Sequence, residues 1–224
     1  MNRRFALPLG ALLMGSVAGA ADFSHYREFE LGSELAVASL QPGVNTARSR
    51  VVQQRPTVIE ESDWRPVFHF DRLSAEPDPV REVLLRFVDK KLFQIVVTYE
   101  RQRIQGMTEA DLIEAISGTY GPATNPGGEI AFRSNYGEKA NVLAEWGDDQ
   151  YVYSLVRTGD QSSFALIGTM SSLDAVAQES MREAHRLDVL EAPQRALDLE
   201  AKRAMEQQTM LEQARSANLP NFKP

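Results

Sequence analysis

Apolar residues fall on alternate positions in two neighbouring runs. Val83, Leu85 and Phe87 share one side of VREVLLRFV, and Phe93, Ile95, Val97 and Tyr99 share one side of LFQIVVTYE. Period-two alternation belongs to strands with one buried face. The polar Asp89-Lys90-Lys91 between the runs predicts a β-hairpin. Its other face carries Glu82, Arg86, Gln94, Thr98 and Glu100, and an antiparallel sheet can leave such a face in water. KANVLAEW, QYVYSLVR and SSFALIGT are three further strand candidates, parted by Gly147-Asp148-Asp149 and Gly159-Asp160-Gln161. A strand is also expected over TVIEESDW, ending at Trp64, and a short one over Phe23 to Leu31. QPGVNTARSRVVQQRP is polar and unpatterned, and reads as a connecting loop.

Helical spacing appears in RIQGMTEADLIEAISGTYG, where Leu112, Ile113 and Ile116 give an apolar side. Thr108 followed by Asp111 fits a capping box. A phosphate-binding loop would need several glycines and a lysine at the helix start. Here a single glycine precedes Glu109 and Asp111, whose charge repels an anion, so Gly106 and Thr108 read as structural punctuation. Ser33 can cap a shorter helix, SELAVASLQ, stopped by Pro42-Gly43. From Ser171 the pattern is helical again, with Leu173, Val176, Ala177, Ala184 and Leu187 on one stripe. Pro193 interrupts it, and a charged, alanine-rich helix follows. Leu190, Leu197, Ala204 and Leu211 recur every seven residues, but the companion positions hold Gln194, Ala201 and Gln208. A coiled coil needs both seams apolar. The segment therefore reads as a helix lying partly on the domain, or as an arm for a partner or a second copy.

The order of elements repeats. Gly32-Ser33, short helix, strand to Trp64 and hairpin are followed by Gly106-Met107-Thr108, short helix, strand to Trp146 and hairpin. The expected fold is α+β: tandem α-β-β-β units forming an antiparallel sheet with helices on one face, plus a long C-terminal helix. The boundaries are a signal peptide over 1–21, a core over 22–170 with half-units 22–103 and 104–170, and a helical arm over 171–224.

Composition narrows the function. MNRRFALPLGALLMGSVAGAAD runs from two arginines through an apolar stretch to Ala18-Gly19-Ala20, the order of a secretory signal peptide. The chain has no cysteine, so it has neither disulfides nor the acyl anchor of a lipoprotein. A bacterial periplasmic or secreted location is expected. Losing residues 1–21 removes two arginines and no acid, which moves the formal net charge from −7 to −9. That acidity disfavours nucleic acid and anionic membrane surfaces as partners.

Candidate chemistry is sparse. His25, His69 and His185 are far apart in sequence and in no metal-ligand spacing. His69 in HFDR lacks an accompanying serine elbow. EWGDDQ gathers acids, but Gly-Asp-Asp between strands is turn chemistry. Neither a catalytic constellation nor a cofactor or metal site is expected. The residues offered as a possible binding surface are Trp64, Glu82, Arg86, Gln94, Glu100, Trp146, Tyr151 and Tyr153. The aromatics among them could be an interface platform or core packing.

Leu31-Gly32-Ser33, and Gly106-Met107-Thr108 through Tyr120-Gly121, resemble the motif of the small outer-membrane assembly lipoproteins of the SmpA/OmlA type. Doubled, the pattern is similar to the tandem β-lactamase-inhibitor proteins. The resemblance implies a noncatalytic envelope protein that binds other proteins. This chain departs from it by lacking the lipobox cysteine and by adding the long C-terminal helix. The expected function is protein binding in the cell envelope. The alternative is a small-ligand or carbohydrate binder, or a hydrolase, using the exposed sheet face.

Overall fold

The computed structural model describes residues 21–66, 78–124, 128–130, 140–158, 163–221 and Lys223. The signal-peptide stretch up to residue 20 and His69 lie outside the described residues.

Eight strands form one antiparallel sheet: β3 (Val44–Gln53), β4 (Ile59–Trp64), β5 (Val80–Val88), β6 (Lys91–Tyr99), β7 (Gly128–Ile130), β8 (Ala140–Gly147), β9 (Tyr151–Thr158) and β10 (Ser163–Met170). Their spatial order is β3-β4-β5-β6-β10-β9-β8-β7. Each half is a four-strand meander, and the halves meet where β6 pairs with β10. A two-residue ladder, β1 (His25–Tyr26) with β2 (Phe29–Glu30), precedes the sheet. Helices α1 (Leu35–Ala38) and α2 (Glu109–Tyr120) each introduce one meander. The fold is α+β as expected, with four strands rather than three in each unit.

Both short helices pack on the same face. Ala38, Leu112 and Tyr120 join Val83, Leu85, Phe87, Ile95, Val97 and Leu155 in the main core. Trp64 and Trp146 end the second strand of each meander and lie in that core, which fits the tandem arrangement. Both are satisfied internally: Trp64 Nε1 donates to the Pro42 carbonyl (2.7 Å) and Trp146 Nε1 to Ser117 Oγ (3.1 Å). The capping box of α2 is complete, Thr108 Oγ1 accepting from the Asp111 N–H and the Asp111 carboxylate from the Thr108 N–H.

Four details differ from the sequence reading. First, QPGVNTARSRVVQQRP is not a loop, because most of it is β3. This is an edge strand with nearly every residue exposed, so neither face needs apolar side chains and no alternation marks it. Second, Ser33 is not a cap: α1 is a single turn whose N-cap is Glu34 with no side-chain bond. Third, Phe93 leaves the face of Ile95 and Val97. Arg86 pairs with Gln94 and Phe87 with Leu92, so Phe93 is the extra residue of a bulge. It is buried on the opposite face with Ile59, Val88 and Ala177. The hairpin turn is correspondingly tight, with Asp89 (φ 46°) and Lys90 (φ 65°) both left-handed, as a two-residue hairpin loop requires.

The fourth concerns α3, which is continuous from Ser171 to Asn218 with Pro193 inside it. Proline removes one backbone donor, and the alanine, glutamate, glutamine and arginine around it favour helix enough to carry the segment through. Leu173, Ala177 and Met181 pack on the face of the sheet opposite α1 and α2. The first turns of α3 therefore belong to the core, although the sequence reading assigned all of 171–224 to an arm. Arg55, in the β3–β4 connection, clamps Glu191 with a two-pronged ion pair. Beyond that clamp the helix is exposed throughout.

Candidate functional site

The face covered by α3 carries an ordered polar row. Cross-strand register sets Arg50 of β3 opposite Glu61 of β4, Glu61 opposite Arg86 of β5, and Arg86 opposite Gln94 of β6. Thr169 of β10 pairs with Gln94 and continues the row. Residues facing each other across strands interact directly. Glu61 Oε2 accepts from Arg50 Nε (3.0 Å) and Nη2 (2.7 Å), while Oε1 accepts from Arg86 Nε (3.1 Å). Arg86 Nη1 donates to Gln94 Oε1 (2.9 Å), and its guanidinium lies 5.4 Å from the centre of the Phe93 ring. The Glu61 side chain is 4 % exposed and that of Arg86 12 %. A buried charge survives only when paired and hydrogen-bonded, and this row meets the requirement.

One strand pair further on, Ser154 Oγ of β9 donates to Glu145 Oε1 of β8 (2.9 Å). Asp174, Gln178, Met181 and His185 lie on one face of α3, at spacings of three and four. Between these residues and the sheet runs a groove of about 650 Å³, which Arg86, Gln94, Glu145, Ser154 and Thr169 also line. Burial pushes the Asp174 carboxyl above its usual range, with the Arg86 charge pulling it partly back. The groove offers guanidinium and amide donors, two carboxylates and several hydroxyls, a set suited to polar recognition. Ser154 has a carboxylate partner and no histidine among its hydrogen bonds, which is not the arrangement that activates a serine. Among the described residues no group of three metal-ligating side chains occurs.

The proposed surface residues divide. Arg86 and Gln94 line the groove. Glu82, near the start of β5, faces Arg65 (3.1 Å) just past the end of β4, and Glu100 follows β6, its N–H bonded to the Pro79 carbonyl (2.7 Å). Neither reaches the groove. Trp64, Trp146 and Tyr153 are buried in the main core and Tyr151 packs against it; they form no open platform, because their strand positions face α1 and α2. His185 lines the groove, and His25 pairs with Asp22 (3.0 Å) on the surface. In EWGDDQ, Asp148 is turned onto its own loop, accepting from the Gln150 and Tyr151 N–H groups (both 2.8 Å). Ser154, Asp174 and Gln178 were not singled out from sequence. The spacing of 174, 178, 181 and 185 was the available signal for the helix side of the groove.

Another cleft, about 810 Å³, lies at the start of α2 beside Gly106, Thr108 and Arg157. Glu109 pairs with Arg157 there, and Asp111 takes the Thr108 N–H. The Glu109 carboxylate thus engages Arg157 and that of Asp111 the Thr108 N–H, two groups an anion would use, while Arg101 also lines the cleft. The other prominent surface is the outer part of α3. Leu190 is 62 % exposed and Leu211 72 %, and Leu197, Met205, Met210 and Leu219 are exposed as well. From Ala192 to Asn218 the arm extends about 40 Å.

No protein-family model, curated protein or solved structure matches the chain. Among the described residues, no helix is long and apolar enough to cross a membrane.

Proposed function

We propose that the protein is an exported, noncatalytic binding module of the bacterial envelope that engages a protein partner through the outer part of α3. The observation that carries this reading is the row of exposed Leu190, Leu197, Met205 and Leu211 on a helix that leaves the core after Glu191, continued by exposed Leu219 just past its end. An isolated helix gains little from propensity alone. Large apolar side chains aligned along one in water offer a partner apolar surface to bury. The resemblance of Leu31-Gly32-Ser33 and Gly106-Met107-Thr108 to partner-binding envelope proteins supports the same class. Deleting residues 194–224 leaves Leu173, Ala177, Met181 and the Arg55–Glu191 clamp in place. The truncated protein should melt within a few degrees of the full chain and lose the complexes or oligomers seen by light scattering and by capture from envelope extract. Unchanged assembly would contradict the reading.

A second reading is favoured by the groove. A concave site of about 650 Å³ with Arg86, Gln94, Glu145, Ser154 and Asp174 converging on it fits a small polar ligand better than a flat protein-binding face. A screen of sugars and amino acids by thermal shift tests it, with Gln94→Ala and Glu145→Ala as the variants that should abolish any shift.

A further inference from the structure

A second cavity, about 370 Å³, lies on the opposite face of the sheet under α2. Its floor is apolar, built from Ile104, Met107, Leu112, Ile116 and Leu166. The helix presents Leu112, Ala115, Ile116 and Thr119 to it at spacings of three and four, so one stripe of α2 forms a wall. The space, open to solvent at one side, corresponds to roughly a dozen waters, and the apolar side chains that face it forfeit packing contacts there. Natural ligand cavities fall in this size range and combine apolar walls with a few placed polar groups.

The polar groups here are tyrosine hydroxyls and arginines. Tyr26, Tyr99 and Tyr120 line the cavity. Burial is the first cause raising each of their phenol pKa values. Tyr153 lies behind Tyr120 and outside the lining, its ring stacked on that of Tyr120 with centres 4.5 Å apart. At the mouth stand Arg27 and Arg103. Arg27 is fixed by Asp78 (2.7 and 2.9 Å) and lies 5.6 Å from the centre of the Tyr26 ring. Among the described residues, no acidic side chain lines the cavity. With Arg27 paired to Asp78, Arg103 is the cationic side chain that this mouth offers an anion, on a molecule of formal net charge −7.

We infer that the cavity is a binding site for a free medium-chain carboxylate, the acyl chain lying against Leu112, Ile116 and Leu166 and the carboxylate meeting Arg103 and the tyrosine hydroxyls at the mouth. The apolar floor supplies affinity without direction. The arginine and phenol donors select the anionic end over a neutral one. The site is separate from the α3 arm and from the polar groove, since none of its lining residues belongs to either.

Isothermal titration of the full-length protein with dodecanoate, below its micelle concentration, tests the assignment. One saturable site per chain is expected. Ala115→Trp, which fills the cavity from an exposed position of α2, should abolish it, and Thr119→Phe does the same from the next turn should the first variant fold poorly. Dodecanol, and dodecanoate added to Arg103→Glu, should each bind about tenfold or more weakly because the charged hydrogen bonds are lost. Dodecanoate brominated at the carbon next to the carboxylate should quench the fluorescence of the unaltered protein, as Trp64 is 5.4 Å from Arg27 at the mouth. Absence of saturable binding, undiminished binding in a folded filled variant, or equal binding of dodecanol would overturn the proposal.

Discussion

Replacing Glu61 with leucine should be the most damaging single change on the α3-covered face. Glu61 accepts two bonds from Arg50 and one from Arg86. The two arginines are not equivalent. Arg50 is 54 % exposed, so its loss of a partner costs little, as for surface pairs generally. Arg86 is 12 % exposed and would keep Gln94 as a hydrogen-bond partner, the Phe93 ring and the more distant Asp174 charge. Removing one partner of a buried pair costs about 3–5 kcal/mol, because the remaining charge is left uncompensated. Arg86 borders a groove that water can enter, so the lower end, about 3 kcal/mol, is expected. For a chain of this size that corresponds to a fall of roughly 6–12 °C in the melting midpoint. Circular dichroism melts and urea titrations measure it. The pairwise test is Glu61→Leu/Arg86→Met, which removes both charges and should recover at least half of the loss, since apolar replacement of a buried pair is often close to neutral. A single-variant cost below about 1 kcal/mol, or a double variant as unstable as the two singles summed, would refute the reasoning.

Three further outcomes follow from local geometry. Gly168→Ala would set a Cβ 2.5 Å from Cε1 of Tyr153; the ring is fully buried and stacked on Tyr120, so a loss of about 1–3 kcal/mol in urea titration is expected. Thr108→Ala should cost about 1 kcal/mol by the same assay through loss of the N-cap, with capture of any partner unchanged in the folded fraction. Asp111→Asn should show a pH signature. The Thr108 N–H first, and then its hydroxyl, hold the Asp111 carboxyl below its usual value of 3.8. Its contribution is therefore complete above that value and lost as pH falls through the lower folded-state value. Melts at pH 7 should separate wild type from the variant, and melts near pH 2 should not.

Strands with alternating apolar residues were legible in the chain, although the face of the hairpin opposite the main core, expected in water, is partly covered by α3. Alternation in VREVLLRFV and LFQIVVTYE predicted the hairpin, and Thr108 with Asp111 predicted the start of α2. The edge strand β3 left no trace because both its faces are wet. The bulge at Phe93 slips the strand by one residue, and a strict period-two reading assigns that residue to the wrong face. At the candidate site, Arg86 and Gln94 were readable as neighbours on one strand face. Glu61 could not be joined to them without the register between β4 and β5, nor Asp174 without knowing which sheet face α3 covers. Trp64, Trp146 and Tyr153 have the composition of an interface, yet they sit at core positions. Side-chain type alone did not separate the two uses.

Hydrogen–deuterium exchange across α3 tests the account most directly. In the dilute, isolated protein, amides from Leu173 to Leu187 should be protected by packing on the sheet. Those from Leu197 to Asn218 should exchange close to the rate of a fraying helix, because nothing covers them. On assembly, with a captured partner or a second copy, the outer segment should gain protection while the sheet is unchanged. Strong protection of residues 197–218 in the isolated monomer, or no gain on assembly, would contradict the claim that this arm is the association surface.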